Sequence, residues 1–333
     1  MRDKNIKIIL WILLFTILVF FPRIFSIYYT NFFVLFAVFA VYAVSLNVLL
    51  GYTGLLSFGH AIFFGAGGYG TALALKHIEG IGLFSAIGIG ILAAITLALI
   101  LTPLVTRVTG TAFAMLHLAL GQFFYILALK LRDITSGEDG IGNFPIPDFE
   151  IPGLISITMK REPENLYYLA IVILGISLWL MWFLTKTPFG QIQVGIRDNA
   201  KRVNYMGYQV LQSKAVIYVI SGMFAGVAGS VYGLFNNLVS ADSSLGPIIS
   251  FGPIMATMIG GVGSFFGPIW GTAIFQILEE VVTKFTDRVE LVTGGILILV
   301  IMFAPQGLAG FIAMMKMRYF PPQAAGVKME KTS

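Results

Sequence analysis

The chain has 333 residues, of which 57% are hydrophobic and only 11% charged, and its mean hydropathy is +0.88. A soluble domain carries about a quarter charged residues, so a water-covered fold is excluded and an all-α integral membrane protein is expected. The net charge of +5 falls in the loops, which fits the positive-inside bias of membrane proteins and argues against a nucleic-acid partner. The absence of cysteine removes disulfides, thiol catalysis and cysteine metal sites. The length would suit about two soluble domains. Because lipid can cover any amount of apolar surface, a single transmembrane domain over 1–333 is expected instead.

A spanning helix needs about 20 mostly apolar residues. At the N-terminus, Arg2, Lys4 and Lys7 precede the apolar run 8–21, as in a secretory signal. Pro22-Arg23 follows where a small-residue cleavage site would stand, so a retained first span over 7–27 is expected. Further spans are expected over 32–50, 57–76, 82–104, 111–130, 166–185 and 215–237. The stretch 246–283 is too long for one span. Gly260-Gly261-Val262-Gly263 and Gly267-Pro268 divide it into helices 247–261 and 266–283. A last span over 291–312 brings the total to about ten transmembrane helices.

Two loops carry the topology. Residues 186–214 hold Lys186, Arg197, Lys201, Arg202 and Lys214 against the single acid Asp198, whereas 131–165 is rich in acids, among them Glu138 and Asp139. Positive residues mark the cytoplasm, so 186–214 is expected inside and 131–165 outside. The N-terminus and the tail with Lys316, Arg318, Lys328 and Lys331 are expected in the cytoplasm. With both ends and 186–214 on one side, the spans before and after that loop must each be even in number, and six plus four satisfies this.

Glycine is dense over 51–70, 222–233 and 252–271. Small residues allow close helix packing. A broken helix whose bared backbone lines a pathway is the alternative, because irregular backbone at membrane depth is tolerated only beside protein or water. That alternative is applied to Asn47, Gly51, Thr53, Gly54, Ser57 and His60 as pathway residues, with Gly260, Gly261, Gly263 and Gly267 as packing or gating glycines.

The catalytic vocabulary is sparse. No phosphate-binding Gly-x-x-x-x-Gly-Lys-Ser/Thr loop occurs, so if ATP drives this chain, another subunit holds the ATP. His60, His77 and His117 show no metal-ligand spacing. Glu279 and Glu280 sit near the outer end of a span and read as interfacial, which leaves no evident ion relay. No enzymatic activity, cofactor or resident metal is expected.

Thr187-Pro188 is a helix start, a hydroxyl cap followed by proline at the first position. Phe189, Ile192, Ile196, Val203 and Met206 then form an apolar stripe opposite Arg197, Lys201 and Asn204. Such a helix over 188–207 fits either an interfacial helix on anionic lipid or a docking helix for a cytoplasmic partner.

The run Asn47-Val-Leu-Leu-Gly-Tyr-Thr-Gly-Leu-Leu-Ser-Phe-Gly-His60 resembles the signature of the branched-chain amino acid permease subunits of ABC importers. Phe113-Ala-Met-Leu116 with Gln122, Thr135-Ser-Gly-Glu-Asp-Gly-Ile141 and Thr187-Pro-Phe-Gly190 with Gly195-Ile-Arg-Asp-Asn199 resemble the same family. So do Gly260-Gly-Val-Gly-Ser-Phe-Phe-Gly-Pro268 and Pro305-Gln-Gly-Leu308. The segments follow the family's order, and the chain is closest to the longer of its two permease types. His117 stands where many relatives have threonine, and Ser136 where a second glycine is frequent.

The resemblance implies the architecture of the ribose and cobalamin importers in a bacterial or archaeal plasma membrane. The implied partners are a second homologous permease in a heterodimer, two cytoplasmic ATPase subunits, an extracellular or periplasmic binding protein and membrane lipid. Gly190, Ile196, Arg197, Asp198, Asn199 and Arg202 would form the coupling helix, its polar groups facing the ATPases. Glu138 and Asp139 would lie in the docking surface for the binding protein. Relatives with these motifs carry branched-chain amino acids, urea, short amides or other amino acids. An ion-coupled secondary transporter is the reading from another class.

Overall fold

The computed structural model describes residues 16–151, 155–157, 163–286, 288–303 and 307. The basic residues at the N-terminus and the tail with Lys316, Arg318, Lys328 and Lys331 lie outside them, as do Pro305 and Leu308. Residues 16–24 are helical (α1), and Ile27–Thr53 (α2) follows without an acid in its first turn or a base in its last. α2 ends because Gly54 adopts a left-handed φ of 76° and its N–H turns back to the carbonyls of Leu49 and Leu50. This is the C-terminal geometry that glycine provides at little cost.

After the irregular residues 54–60 come Ala61–His77 (α3), Leu83–Val105 (α4) and Thr111–Lys130 (α5). A short helix, Arg132–Thr135 (α6), leads into the 131–165 segment, which holds the strands Ile141–Gly142 (β1), Phe149–Ile151 (β2) and Ile155–Ile157 (β3). Pro163–Lys186 (α7) and Pro188–Tyr205 (α8) follow, then Val210–Asn236 (α9), Leu238–Val239 (β4), Ala241–Ser244 (α10), Pro247–Gly260 (α11), Gly267–Thr283 (α12) and Val289–Phe303 (α13). Each expected span therefore has a helix at its place among the described residues. Among the described residues, six helical runs are long and apolar enough to cross a membrane: α2, α4, α5, α7, α9 and Ala241–Gly260. α3 and α12 have 17 residues each and α13 has 15, about 25 Å or less at 1.5 Å per residue.

Two small ribbons add to the helical bundle. β1 pairs antiparallel with β4, Ile141 opposite Val239, and β2 pairs with β3. Strands of two or three residues leave no periodic trace in a sequence, so the all-helical expectation did not contain them.

α3 is central and packs on α4 and α9, while α2 packs on α7, α9, α11 and α12. Two glycine patches meet each other here. A Cβ at Gly67 would overlap the Gly226 carbonyl, and one at Gly229 would overlap that of Phe64, so α3 and α9 touch backbone to backbone. The third patch closes on itself between α11 and α12. The outer faces of α4, α5 and α7 expose Leu99, Ile100, Phe123, Trp179 and Phe183, as lipid-facing surfaces do. One end of the bundle carries α8 and the other carries residues 131–148.

Candidate functional site

The break at 54–60 begins beside α8 and ends inside the bundle. Of the pathway residues expected from sequence, Asn47, Gly51, Thr53, Ser57 and His60 are buried within this chain and Gly54 is exposed. A Cβ at Gly59 would overlap the His117 carbonyl, so only glycine lets the irregular segment lie against α5. His60 stacks on Tyr42 with ring centroids 5.5 Å apart, and its Nε2 lies 3.0 Å from Ser45 Oγ. Ser221 Oγ donates to the Ser45 carbonyl at 2.6 Å, and His117 Nε2 lies 2.6 Å from Tyr218 Oη. Phe63 stands edge-on to His60, His117 and Tyr218. The two histidines thus belong to one buried aromatic and hydroxyl cluster that holds the break in place. Among the described residues they join no group of three or more His, Asp or Glu able to hold a metal. Ser45 and Tyr218 were not singled out from sequence, because a serine or tyrosine in an apolar helix carries no signal of its partner.

α8 meets the break directly. Thr187 caps it by accepting the Gly190 N–H at 3.3 Å, with Pro188 in the first turn. Gly190, Gln193, Ile196 and Val203 form its buried face. Thr53 Oγ1 donates to Gln193 Oε1 at 3.3 Å, and Gln193 Nε2 donates to the Ser213 carbonyl at 3.2 Å. Arg197 turns inward: its Nη1 donates to the Gly51 carbonyl at 2.6 Å, and its Cγ would lie 3.1 Å from a Cβ at Gly54. It also pairs with Asp198 at 3.1 Å. Asn199 has φ −160° and ψ 91°, which kinks α8, and its Oδ1 accepts the Arg202 N–H at 3.0 Å. Asp198, Asn199, Lys201 and Arg202 are exposed. The residues expected for coupling and for the pathway therefore converge at one junction through Arg197, Gly51 and Gly54.

The same junction reaches the turn between α11 and α12. Asn47 Nδ2 donates to the Ser264 carbonyl at 3.0 Å, and a Cβ at Gly51 would overlap the Val262 carbonyl. Gly261 has φ 108° and ends α11. A Cβ at Gly260 would overlap the Gly267 carbonyl, and one at Gly271 that of Ala256. Gly263 has nothing within 4 Å of an added Cβ, unlike Gly260 and Gly267.

On the far side of that crossing from α8 lies a cavity of about 260 Å³ between α2, α11, α12 and α13. Its walls include Phe39, Ile249, Met255 and Phe275, and its polar groups are Thr272, Gln276, Glu279 and Thr293. Sequence reasoning passed over this site, although Thr272, Gln276 and Glu279 recur at i, i+4 and i+7 in an otherwise apolar helix, a stripe that marks one face. Glu279 is exposed, and its neighbour Glu280 accepts from Tyr28 Oη at 2.6 Å at the start of α2. These glutamates therefore sit at the end of the bundle remote from α8.

At that end the first part of the 131–165 segment is anchored. Ile141 and Phe144 are buried with Val239 and Leu245 in one cluster, and Thr135 Oγ1 donates to the Ala128 and Leu131 carbonyls. Ser136 adopts a left-handed φ of 61°, a conformation that glycine takes with less strain. Glu138 and Asp139 are held exposed.

Residues 28–304 match the family described as the permease component of the branched-chain amino acid transport system. The chain is 28% identical to the high-affinity branched-chain amino acid transport system permease protein LivM of Escherichia coli, covering 81% of this chain and 67% of that protein. It is 24% identical to the corresponding permease BraD of Pseudomonas aeruginosa, over 82% of this chain and 91% of that one. A shorter match, 29% over 140 residues, is to the ribose import permease protein RbsC of Bacillus subtilis and covers 40% of this chain and 42% of that protein. No solved structure matches significantly. The helical bundle with its break at 54–60 and this match over most of its length show that the chain belongs to the branched-chain amino acid transport permease family.

Proposed function

We propose that the chain is the translocation subunit of a binding-protein-dependent ABC importer for branched-chain amino acids, acting with a second permease, two cytoplasmic ATPases and an extracellular binding protein. The observation that carries the mechanism is the Arg197 to Gly51 contact, because it joins an amphipathic helix at one end of the bundle to irregular backbone that enters the bundle. In this reading α8 is the coupling helix and lies in the cytoplasm with both termini. Asp198, Asn199 and Arg202 meet an ATPase, while Arg197 passes the motion to the 51–54 turn. The turn at 260–264 touches Gly51 and acts as the inner gate. In this reading α1 to α5, α7, α9 and α11 to α13 cross the membrane, α3 being short because it starts at the break and α11 and α12 because they meet at the 260–267 turn. Glu138 and Asp139 face the binding protein on a segment stiffened by the β1–β4 ribbon. The names of the LivM and BraD relatives support the amino-acid substrate.

The test is affinity purification of the C-terminally tagged chain from its native host membranes, with mass spectrometry of what accompanies it. A second permease and two ATPases are expected, and replacing Arg202 by Glu should release the ATPases. A chain that emerges alone and moves a solute alone in liposomes would overturn the importer reading.

A further inference from the structure

We infer that the cavity between α2, α11, α12 and α13 is a low-affinity subsite for a small aliphatic amino acid, held by its ammonium group on the α12 wall. The inference rests on the importer reading and adds where substrate pauses inside this subunit.

The cavity of about 260 Å³ falls just below the usual range of ligand pockets, about 300–1,000 Å³, and so suits a small solute. Its polar groups share one wall: Thr272, Gln276 and Glu279 on one face of α12, with Thr293 beside them on α13. The other face of α12 exposes Trp270, Ile274, Ile277 and Val281.

The polar wall is rich in acceptors, the Gln276 amide N–H groups being its donors. Thr272 already donates its hydroxyl hydrogen to the Pro268 carbonyl at 2.8 Å, so it offers only lone pairs to the cavity. Gln276 Oε1 is buried and meets no partner among the described residues, an arrangement that a ligand or water would complete. Pro253 interrupts α11 and lines the cavity together with Ile249. Proline has no N–H to return to the carbonyl four residues back, so the Ile249 carbonyl is one more acceptor. Glu279 supplies negative charge.

An ammonium group brings three donors and no acceptor, which matches this wall. The aliphatic side chain matches Phe39, Ile249 and Met255 opposite. A lipid tail would leave the acceptors unmet, and a bare cation would leave the apolar walls unused. Toward α8 the cavity is closed where Ala256 meets Gly271 and Gly260 meets Gly267 without room for a Cβ. A solute entering beside Glu279 therefore stops above the gate.

The natural absence of cysteine makes the test direct. Met255→Cys, in the full chain in lipid nanodiscs, is reacted with a small thiosulfonate, with Ile274→Cys on the outer face of α12 as the control. Leucine and leucinol, which share the ammonium group, should slow reaction at 255 and leave 274 unchanged, whereas 4-methylpentanoate, which lacks it, should not. Glu279→Gln should raise the half-protecting leucine concentration about tenfold, the loss of one charge-assisted contact, without changing the unliganded reaction rate, and Glu279→Asp should restore part of it. Equal protection by 4-methylpentanoate and leucine, protection indifferent to Glu279→Gln, or no protection at all would overturn the subsite. Leucine uptake by cells separates this from the importer reading. Uptake with unchanged half-saturation in Glu279→Gln overturns the subsite alone, while uptake unaltered by deleting the gene overturns the importer reading and the subsite with it.

Discussion

At Gly59 the absence of a single carbon decides whether the break can pack. Because a Cβ there would overlap the His117 carbonyl, and backbone cannot step aside as a flexible side chain can, Gly59→Ala should destabilise the chain by about 1–3 kcal/mol. Gly88, with nothing within 4 Å of an added Cβ, is the control: Gly88→Ala should be neutral or slightly stabilising, since alanine is the better helix former by about 1 kcal/mol. Thermal unfolding of both variants in detergent checks this, and equal midpoints would refute the tight contact. The glycine itself was legible, as part of a motif rich in small residues. Its partner was not, because His117 lies 58 positions away in another helix, and chain order does not encode which backbone a glycine meets. Arg197 shows the same limit from the other side. Its charge placed it on the polar face of an amphipathic helix, yet its side chain reaches the Gly51 carbonyl, since a long guanidinium can turn back from one face to satisfy an acceptor at the end of a neighbouring helix.

Among the elements, α8 shows best what periodicity reveals and what it leaves out. The cap and the proline gave its start, but of the expected apolar stripe only Ile196 and Val203 are buried, Gly190 and Gln193 complete the buried face and Met206 is exposed; the observed helix ends at Tyr205, two residues short of the expected limit. The kink at Asn199 was not legible, because asparagine at one position distinguishes a cap from an ordinary polar residue only once its backbone is known to be extended. Two predictions follow from this geometry. Asn199→Ala removes the acceptor for the Arg202 N–H and should lower helix stability by about 1 kcal/mol, seen as faster hydrogen exchange over 200–205 than in the parent. Arg197→Ala should separate ATP hydrolysis from transport. With the handles Asp198, Asn199 and Arg202 intact, the assembled importer should keep most of its ATPase activity while solute uptake falls by about tenfold, the order expected for a charge-assisted hydrogen bond. Equal loss of both activities would make Arg197 a part of ATPase docking instead, and loss of neither would remove it from the mechanism.

For the whole molecule, the argument turns on parity. α2 runs from Tyr28, beside Glu280, to Gly51, beside Arg197, so its two ends mark opposite ends of the bundle. α12 and α13 then connect the 260–267 turn to Glu280 and back to Gly307, where a Cβ would crowd Gly261. The chain thus returns to the end of the bundle that carries α8. The proposed orientation rests on charge, because Lys and Arg in 186–214 and at both termini bias one side. Charge could not anticipate that α3, α11 and α12 are each shorter than a bilayer core, since length is visible in sequence only where a breaker such as Gly260-Gly261 marks the end. A chain free of cysteine allows the orientation to be read in intact cells. Asp139→Cys, on an exposed turn at one end, should react with a membrane-impermeant maleimide added outside. Lys201→Cys, exposed on α8, should react only after the membrane is opened. The reverse pattern would invert the protein and place the acidic segment among the ATPases. Labelling of both in intact cells would mean that α7, the helix between them, does not carry the chain across, and would remove the even count of crossings before α8.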